Sequence, residues 1–152
     1  MTAKILVTGG AGFIGSEIVK QLSAHDEYEI RVLDALTKQI HGNNPEKSYL
    51  FQSIKDCCDF IRGDVRDFTT VQKALEGVDV VLHLAAETGT GQSMYMINQY
   101  NEVNVMGLSN IFQALSLKGE SNTIRKVIAF CVWRRRVSMP KLWRSLPPWT
   151  QN

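Results

Sequence analysis

Lys4-Ile5-Leu6-Val7-Thr8-Gly9-Gly10-Ala11-Gly12-Phe13-Ile14-Gly15-Ser16 is the stretch on which the fold turns. Its first part is a short apolar run ending in glycines, the pattern of a parallel strand buried on both faces. Beyond the glycines, Phe13, Ile14, Ile18, Val19 and Leu22 recur at helical spacing, with Ser16, Glu17, Lys20 and Gln21 on the other side. The expected order is therefore strand, glycine turn, helix. Gly9, Gly12 and Gly15 fall where a missing Cβ permits a tight turn, close approach of a pyrophosphate and close packing of the helix. The free N–H groups that open the helix, at Phe13, Ile14 and Gly15, then face the phosphates. A plain glycine-rich turn is the competing reading, and the residues downstream weigh against it.

Ile30-Arg31-Val32-Leu33-Asp34 reads as a second strand, and Asp34 lies 19 residues beyond Gly15. A carboxylate there accepts hydrogen bonds from both ribose hydroxyls of an adenosine and meets a 2′-phosphate with like charge, which favours NAD over NADP. The bland alternative is an acid that simply ends a strand. Residues 35–58 read as irregular and polar, and Phe60-Ile61-Arg62-Gly63-Asp64 as a third short strand. Thr69 to Leu75 is a short helix closed by Gly77, with Asp67 or Thr69 as its N-cap. Val78 to Ala85 is a near-continuous apolar run suited to a central strand. Tyr95 to Leu117 is long enough for a crossover helix, with Val103, Leu108, Ile111, Phe112 and Leu115 in its stripe, and Arg125 to Phe130 is a fifth strand. This alternation predicts an α/β fold of the Rossmann type, a doubly wound parallel sheet of strand order 3-2-1-4-5 that stops after its fifth strand.

Composition adds bounds. With 152 residues and 44% apolar content, the chain has room for one domain with a real core. It offers no secretory h-region and no apolar run of transmembrane length, so a cytoplasmic protein with no membrane partner is expected. Three cysteines, two of them the adjacent pair Cys57-Cys58, make neither a disulfide framework nor a paired C-x-x-C site, and no metal is expected. The net charge of +2 conceals an asymmetry. Residues 1–130 hold 12 Lys and Arg against all 15 Asp and Glu, a net of −3, whereas residues 131–152 hold five basic residues and no acid. That tail also contains Trp133, Trp143 and Trp149 and three of the four prolines. The chain therefore divides into an incomplete dinucleotide-binding domain, 1–130, and a basic Trp/Arg/Pro-rich tail, 131–152. A nucleic-acid or membrane-surface role for the tail is thinly supported by five charges without amphipathic order, and no nucleic-acid partner is expected.

Four motifs in one order carry a resemblance: Thr8-Gly9-x-x-Gly12-x-x-Gly15, Gly63-Asp64-Val65-Arg66-Asp67, His83-Leu84-Ala85-Ala86 and Asn104-Val105. Over residues 3 to 130 the chain resembles the extended short-chain dehydrogenase/reductases, specifically their NAD-dependent nucleotide-sugar epimerases and dehydratases. The resemblance implies that Asp64 and Val65 bracket the adenine, that Leu84, Ala85 and Ala86 run beside the nicotinamide half, and that Asn104 belongs to the cofactor site. Read without it, Asp64 and Asp67 are equally turn formers or caps, Asn104 is a surface helix residue, and His83 is a core histidine at a strand end. Ala86-Glu87-Thr88-Gly89-Thr90-Gly91-Gln92-Ser93 resembles a branch of UDP-sugar epimerases linked to surface polysaccharides, which implies that Thr88, Gln92 and Ser93 touch the sugar or diphosphate. A polar loop after a strand explains those three residues as well. A nucleotide-sugar substrate and a homodimer in the full-length family are further implications.

Members of the family resemble one another in a Tyr-x-x-x-Lys pair after the fifth strand, whose tyrosine works as acid or base with its pKa lowered by the lysine. Here the tyrosines are Tyr28, Tyr49, Tyr95 and Tyr100, and none has a lysine four positions on, so no catalytic residue is assigned. Where the family continues with Ser-Ser-x-x-Val-Tyr-Gly, this chain has Cys131-Val132-Trp133-Arg134. Codons for Cys131 onward, read one nucleotide later, permit Val-Tyr-Gly-Glu-Gly, so residues 131–152 are expected to be disordered or out-of-frame. Two readings stand: the NAD-binding portion of an epimerase or dehydratase that is not catalytic alone, and a non-catalytic NAD-binding remnant or regulatory module.

Overall fold

The computed structural model describes residues 2–117 and 126–129. Five parallel strands form one sheet in the order β3-β2-β1-β4-β5. They are β1 (Ala3–Thr8), β2 (Tyr28–Asp34), β3 (Asp59–Arg62), β4 (Val80–His83) and β5 (Lys126–Ala129). The expected strand order is met. The chain winds outward from β1 to β3 and then returns to the far side of β1, so the carboxyl ends of β1 and β4 flank a topological switch point. The expectations for residues 131–152 lie outside the described residues.

Alternate strand residues build two cores, one on each face of the sheet, as the twofold periodicity of a strand requires. Ile5, Val7, Ile30 and Val32 pack with Ala11, Val19, Leu36 and Ile54 beneath helix α1 (Phe13–Ser23). Leu6, Leu33 and Val81 pack on the opposite face with Val71, Ala74, Ile111 and Ala114, contributed by α4 (Phe68–Ala74) and α7 (Gly107–Leu117). Asp67 is the N-cap of α4, its side chain accepting from the Thr69 N–H at 3.0 Å. At the other end of that helix Arg31 donates to the carbonyls of Ala74 and Glu76, at 3.1 and 2.9 Å, satisfying acceptors that a helix end leaves open.

Three details differ from the sequence expectations. Residues 35–58 are not irregular: they contain α2 (Lys38–His41), a 3₁₀ turn (Pro45–Lys47) and α3 (Tyr49–Gln52), and they bury Leu36, His41 and Ile54. On α1, Phe13 and Ile14 do not join the buried stripe; Phe13 is 84% exposed. A Cβ on Gly15 would stand 2.2 Å from the Gly9 carbonyl oxygen, so Gly15 faces the glycine turn, with Ser16 and Val19 on the same buried side, and the two residues before it turn outward. The third difference lies in the crossover helix. After a separate short helix, α5 (Thr90–Ser93), the segment expected from Tyr95 to Leu117 is made of α6 (Ile97–Asn101), a wide π-turn (Glu102–Met106) and α7. Phe112, expected in its stripe, is 52% exposed.

Candidate functional site

The glycine turn occupies the gap between β1 and α1. Gly9 adopts φ +69°, where L side chains are strained, and a Cβ there would lie 2.7 Å from the Ala85 amide nitrogen. The turn closes on itself through the Gly12 N–H to the Gly9 carbonyl at 3.1 Å, and α1 starts with the Ser16 N–H on the Gly12 carbonyl at 2.9 Å. No described residue accepts from the N–H groups of Phe13, Ile14 or Gly15, and Gly12, the N-cap, has no side chain to supply an acceptor. These three amides and the dipole of an 11-residue helix form a surface that favours an anion.

Asp34 stands at the end of β2. Its Oδ2 accepts from the Ala11 N–H at 2.9 Å and its Oδ1 from the Leu36 N–H at 2.8 Å. Each oxygen keeps a lone pair, so the carboxylate braces the glycine turn and still offers acceptors to a diol. Leu36 pays for its bond with φ +52°, unusual for a branched side chain, and is held there by burial.

His83 ends β4 and is buried. Its Nδ1 lies 2.7 Å from Thr8 Oγ1, which also accepts from the Leu84 and Ala85 amides at 3.2 and 3.3 Å. With two incoming N–H groups, the hydroxyl has its own proton left for Nδ1, which makes His83 the Nε2–H tautomer. Burial pulls its pKa down to about 4. This histidine is a structural tie between β1 and β4 rather than a proton carrier at the surface.

The loop after β4 carries Leu84, Ala85 and Ala86, all half-buried at the switch point. Asn104, in the π-turn, grips the next residue: its Oδ1 accepts from the Glu87 N–H at 2.8 Å and its Nδ2 donates to the Glu87 carbonyl at 3.2 Å. The Tyr100 hydroxyl does the same for Gly89, accepting from its N–H at 2.7 Å and donating to its carbonyl at 2.8 Å. Beyond these clamps, Thr88 is exposed, Ser93 donates to the Thr90 carbonyl at 2.8 Å, and Gln92 accepts from Gln39 Nε2 at 2.9 Å, which links the loops after β2 and β4. After β3, Asp64 is one-third exposed and bonded to Arg66, while Val65 is buried against Gly107, where a Cβ would lie 2.6 Å from Val65 Cγ2.

The structure thus gathers Gly9 to Gly15, Asp34 and residues 84–86 around the ends of β1, β2 and β4, with Asp64 and Val65 at the end of β3. Sequence reasoning missed Ala11, Tyr100 and Arg66, which act through hydrogen bonds to backbone or to another side chain. A signal for Tyr100 did exist: it stands four residues before Asn104, one turn away on a helix.

A doubly wound sheet with acceptor-free amides at a glycine turn and a carboxylate closing β2 defines a Rossmann-type domain of the dinucleotide-binding class. The match is closer than class. The model of the NAD dependent epimerase/dehydratase family fits residues 5–130, and the chain belongs to that family. It is 37% identical over 118 residues to dTDP-L-rhamnose 4-epimerase of Burkholderia thailandensis, covering 76% of this chain and 31% of that protein. To dTDP-glucose 4,6-dehydratase of Streptomyces niveus it is 34% identical over 118 residues, covering 74% and 34%. Among solved structures, UDP-glucose 4-epimerase from Brucella ovis in complex with NAD superposes with a TM-score of 0.67 at 30% identity, covering 84% of this chain and 35% of that one. The chain spans about a third of the length of the curated relatives it matches. No helix among the described residues is long and apolar enough to cross a membrane.

Proposed function

We propose that this chain holds NAD, as the cofactor-binding part of a nucleotide-sugar epimerase or dehydratase. The observation that carries the reading is the 2.9 Å bond from the Ala11 N–H to Asp34, which fixes the ribose acceptor and the phosphate-facing amides as one unit. In this reading the amides of Phe13, Ile14 and Gly15 take the pyrophosphate, Gly12 keeps its approach open, and Asp34 takes the ribose hydroxyls and turns away a 2′-phosphate. Asp64 and the Val65 N–H face the adenine. Leu84, Ala85 and Ala86 line the nicotinamide half, with Asn104 holding the following turn in place. Thr88, Gln92 and Ser93 are the residues of this chain assigned to the nucleotide sugar.

Bound NAD supplies a hydride acceptor for a sugar carbon. These 152 residues contribute binding and orientation but no tyrosine–lysine pair, so turnover in this reading draws on residues they do not include. A cytoplasmic setting goes with the unbridged thiols Cys57 and Cys58. A homodimer of the full-length protein goes with the exposed apolar residues Val105, Met106, Phe112 and Leu117 along the π-turn and α7.

Calorimetric titration of the purified chain tests the reading. We expect saturable NAD binding, weakened by about tenfold or more when a 2′-phosphate is added or in Asp34→Ala. A folded chain that binds neither NAD nor ADP refutes it.

A further inference from the structure

Arg66 is a long, half-exposed side chain, and exposed arginines usually point into solvent. This one folds back. Its Nε and Nη2 both donate to Asp64 Oδ2, at 3.0 and 2.7 Å, and its backbone N–H donates to Asp64 Oδ1 at 2.9 Å. The remaining arm, Nη1, reaches Glu102 Oε2 at 3.2 Å, on the π-turn. From α7, Asn110 Nδ2 donates to the carbonyls of Val65 and Arg66, at 2.9 and 3.0 Å. The turn at residues 64–66 is therefore clamped from two sides, and its carboxylate is fixed by a planar fork whose geometry a lysine cannot copy.

The clamp leaves specific groups open. Oδ2 is taken up by the guanidinium, whereas Oδ1 carries one backbone bond and keeps an acceptor position. No described residue accepts from the Val65 N–H. Adjacent residues thus offer one fixed acceptor and one donor. Adenine presents a 6-amino donor next to the N1 acceptor and matches that pair; hypoxanthine, with a 6-oxo acceptor next to an N1–H donor, opposes it at both positions. Burial pushes the Asp64 carboxyl upward, but the side-chain and backbone bonds from Arg66 and its charge outweigh this and hold it below the usual carboxylate value. The acceptor is consequently an ionised one.

We propose that Arg66 is a positioning residue for base recognition: by locking Asp64 between the β3 end and the π-turn, it makes the site choose an adenine over a hypoxanthine dinucleotide. This rests on the reading that the site holds NAD. The Arg66 side chain bonds no phosphate- or ribose-facing group, so its removal frees the Asp64 carboxylate and, on the π-turn, that of Glu102.

The test is calorimetric titration of the full chain with NAD and with nicotinamide hypoxanthine dinucleotide, which differ only in the base. The wild type is expected to prefer NAD by about tenfold or more, and Arg66→Gln to bring the two affinities within about threefold of each other. Arg66→Lys, which keeps the charge and the alkyl stem, serves where the glutamine variant does not fold, and is expected to lose most of the preference too. An undiminished preference in either folded variant overturns the proposal, as does a wild type that binds both dinucleotides equally. A wild type that binds neither removes the NAD reading itself, a result distinct from the other two. A role for Arg66 in stability alone would lower both affinities together and leave their ratio unchanged.

Discussion

Acidification should weaken this fold through His83, and the size of the effect follows from its surroundings. An ordinary histidine titrates at 6.5, whereas burial holds His83 at about 4. Between those values the unfolded chain binds a proton that the native chain refuses, so stability is present above the unfolded value and is lost as the pH falls toward the folded one. Integrating that difference gives a loss of about 2 kcal/mol between about pH 7.5 and pH 5, and about 3 kcal/mol below both values. The geometry supplies the same sign independently. A proton on Nδ1 would point at Thr8 Oγ1, whose lone pairs already take the Leu84 and Ala85 amides. Urea denaturation across this pH range, on the wild type and on His83→Gln, isolates the contribution from the carboxylates that titrate nearby. The glutamine variant is expected to be less stable at neutral pH but to lose about 2 kcal/mol less on acidification. Parallel pH profiles for the two proteins would show that His83 is not the source of the acid sensitivity.

Other outcomes follow from single contacts. Gly15→Ala places a Cβ 2.2 Å from the Gly9 carbonyl, and relieving that overlap should cost about 1–3 kcal/mol in urea denaturation and abolish measurable NAD binding; retained affinity would show that the turn yields cheaply. Tyr100→Phe removes both bonds to the Gly89 backbone, for an expected loss of about 1–3 kcal/mol and faster hydrogen exchange confined to residues 87–93, checked by mass spectrometry. Gly91→Ala meets nothing within 4 Å and should instead stabilise the chain by about 0.4–1 kcal/mol through the unfolded state, a gain that a thermal melt would register.

The sheet was legible because its strands are nearly all apolar and its turns carry glycine, so the period and the punctuation agree at Leu6, Val32 and Val81. The crossover helix was legible only in outline. In an unbroken α-helix Tyr100, Asn104, Gly107, Ile111 and Ala114 would share one face. The π-turn splits them, so that Tyr100 and Asn104 grip the loop after β4 while Ile111 and Ala114 enter the core. No periodicity announces one residue too many in a turn. Residues 35–58 misled for a different reason: their helical turns are four residues or fewer and owe their existence to Leu36 and Ile54 reaching the core, which is tertiary information. At the candidate site, residue types suited to a ligand could be picked out from the sequence, and those that hold other residues could not. Asp34 was marked by its spacing from Gly15, and Asp64 could be read as a turn former, but the return of the Arg66 guanidinium onto that carboxylate follows from no spacing rule.

The bond between Ala11 and Asp34 also bears on how such a protein could change its cofactor. Acceptance of NADP calls for losing the acid at the end of β2 and gaining a cation nearby. Here that same acid is the brace of the glycine turn, so the first substitution on the path takes away the acceptor of the Ala11 amide before any new affinity is gained. In the proposed reading, cofactor preference is thereby guarded by the cost of an unbraced turn as well as by charge. An engineer seeking to reverse it would have to install a second brace for the Ala11 amide first, and only then remove the carboxylate.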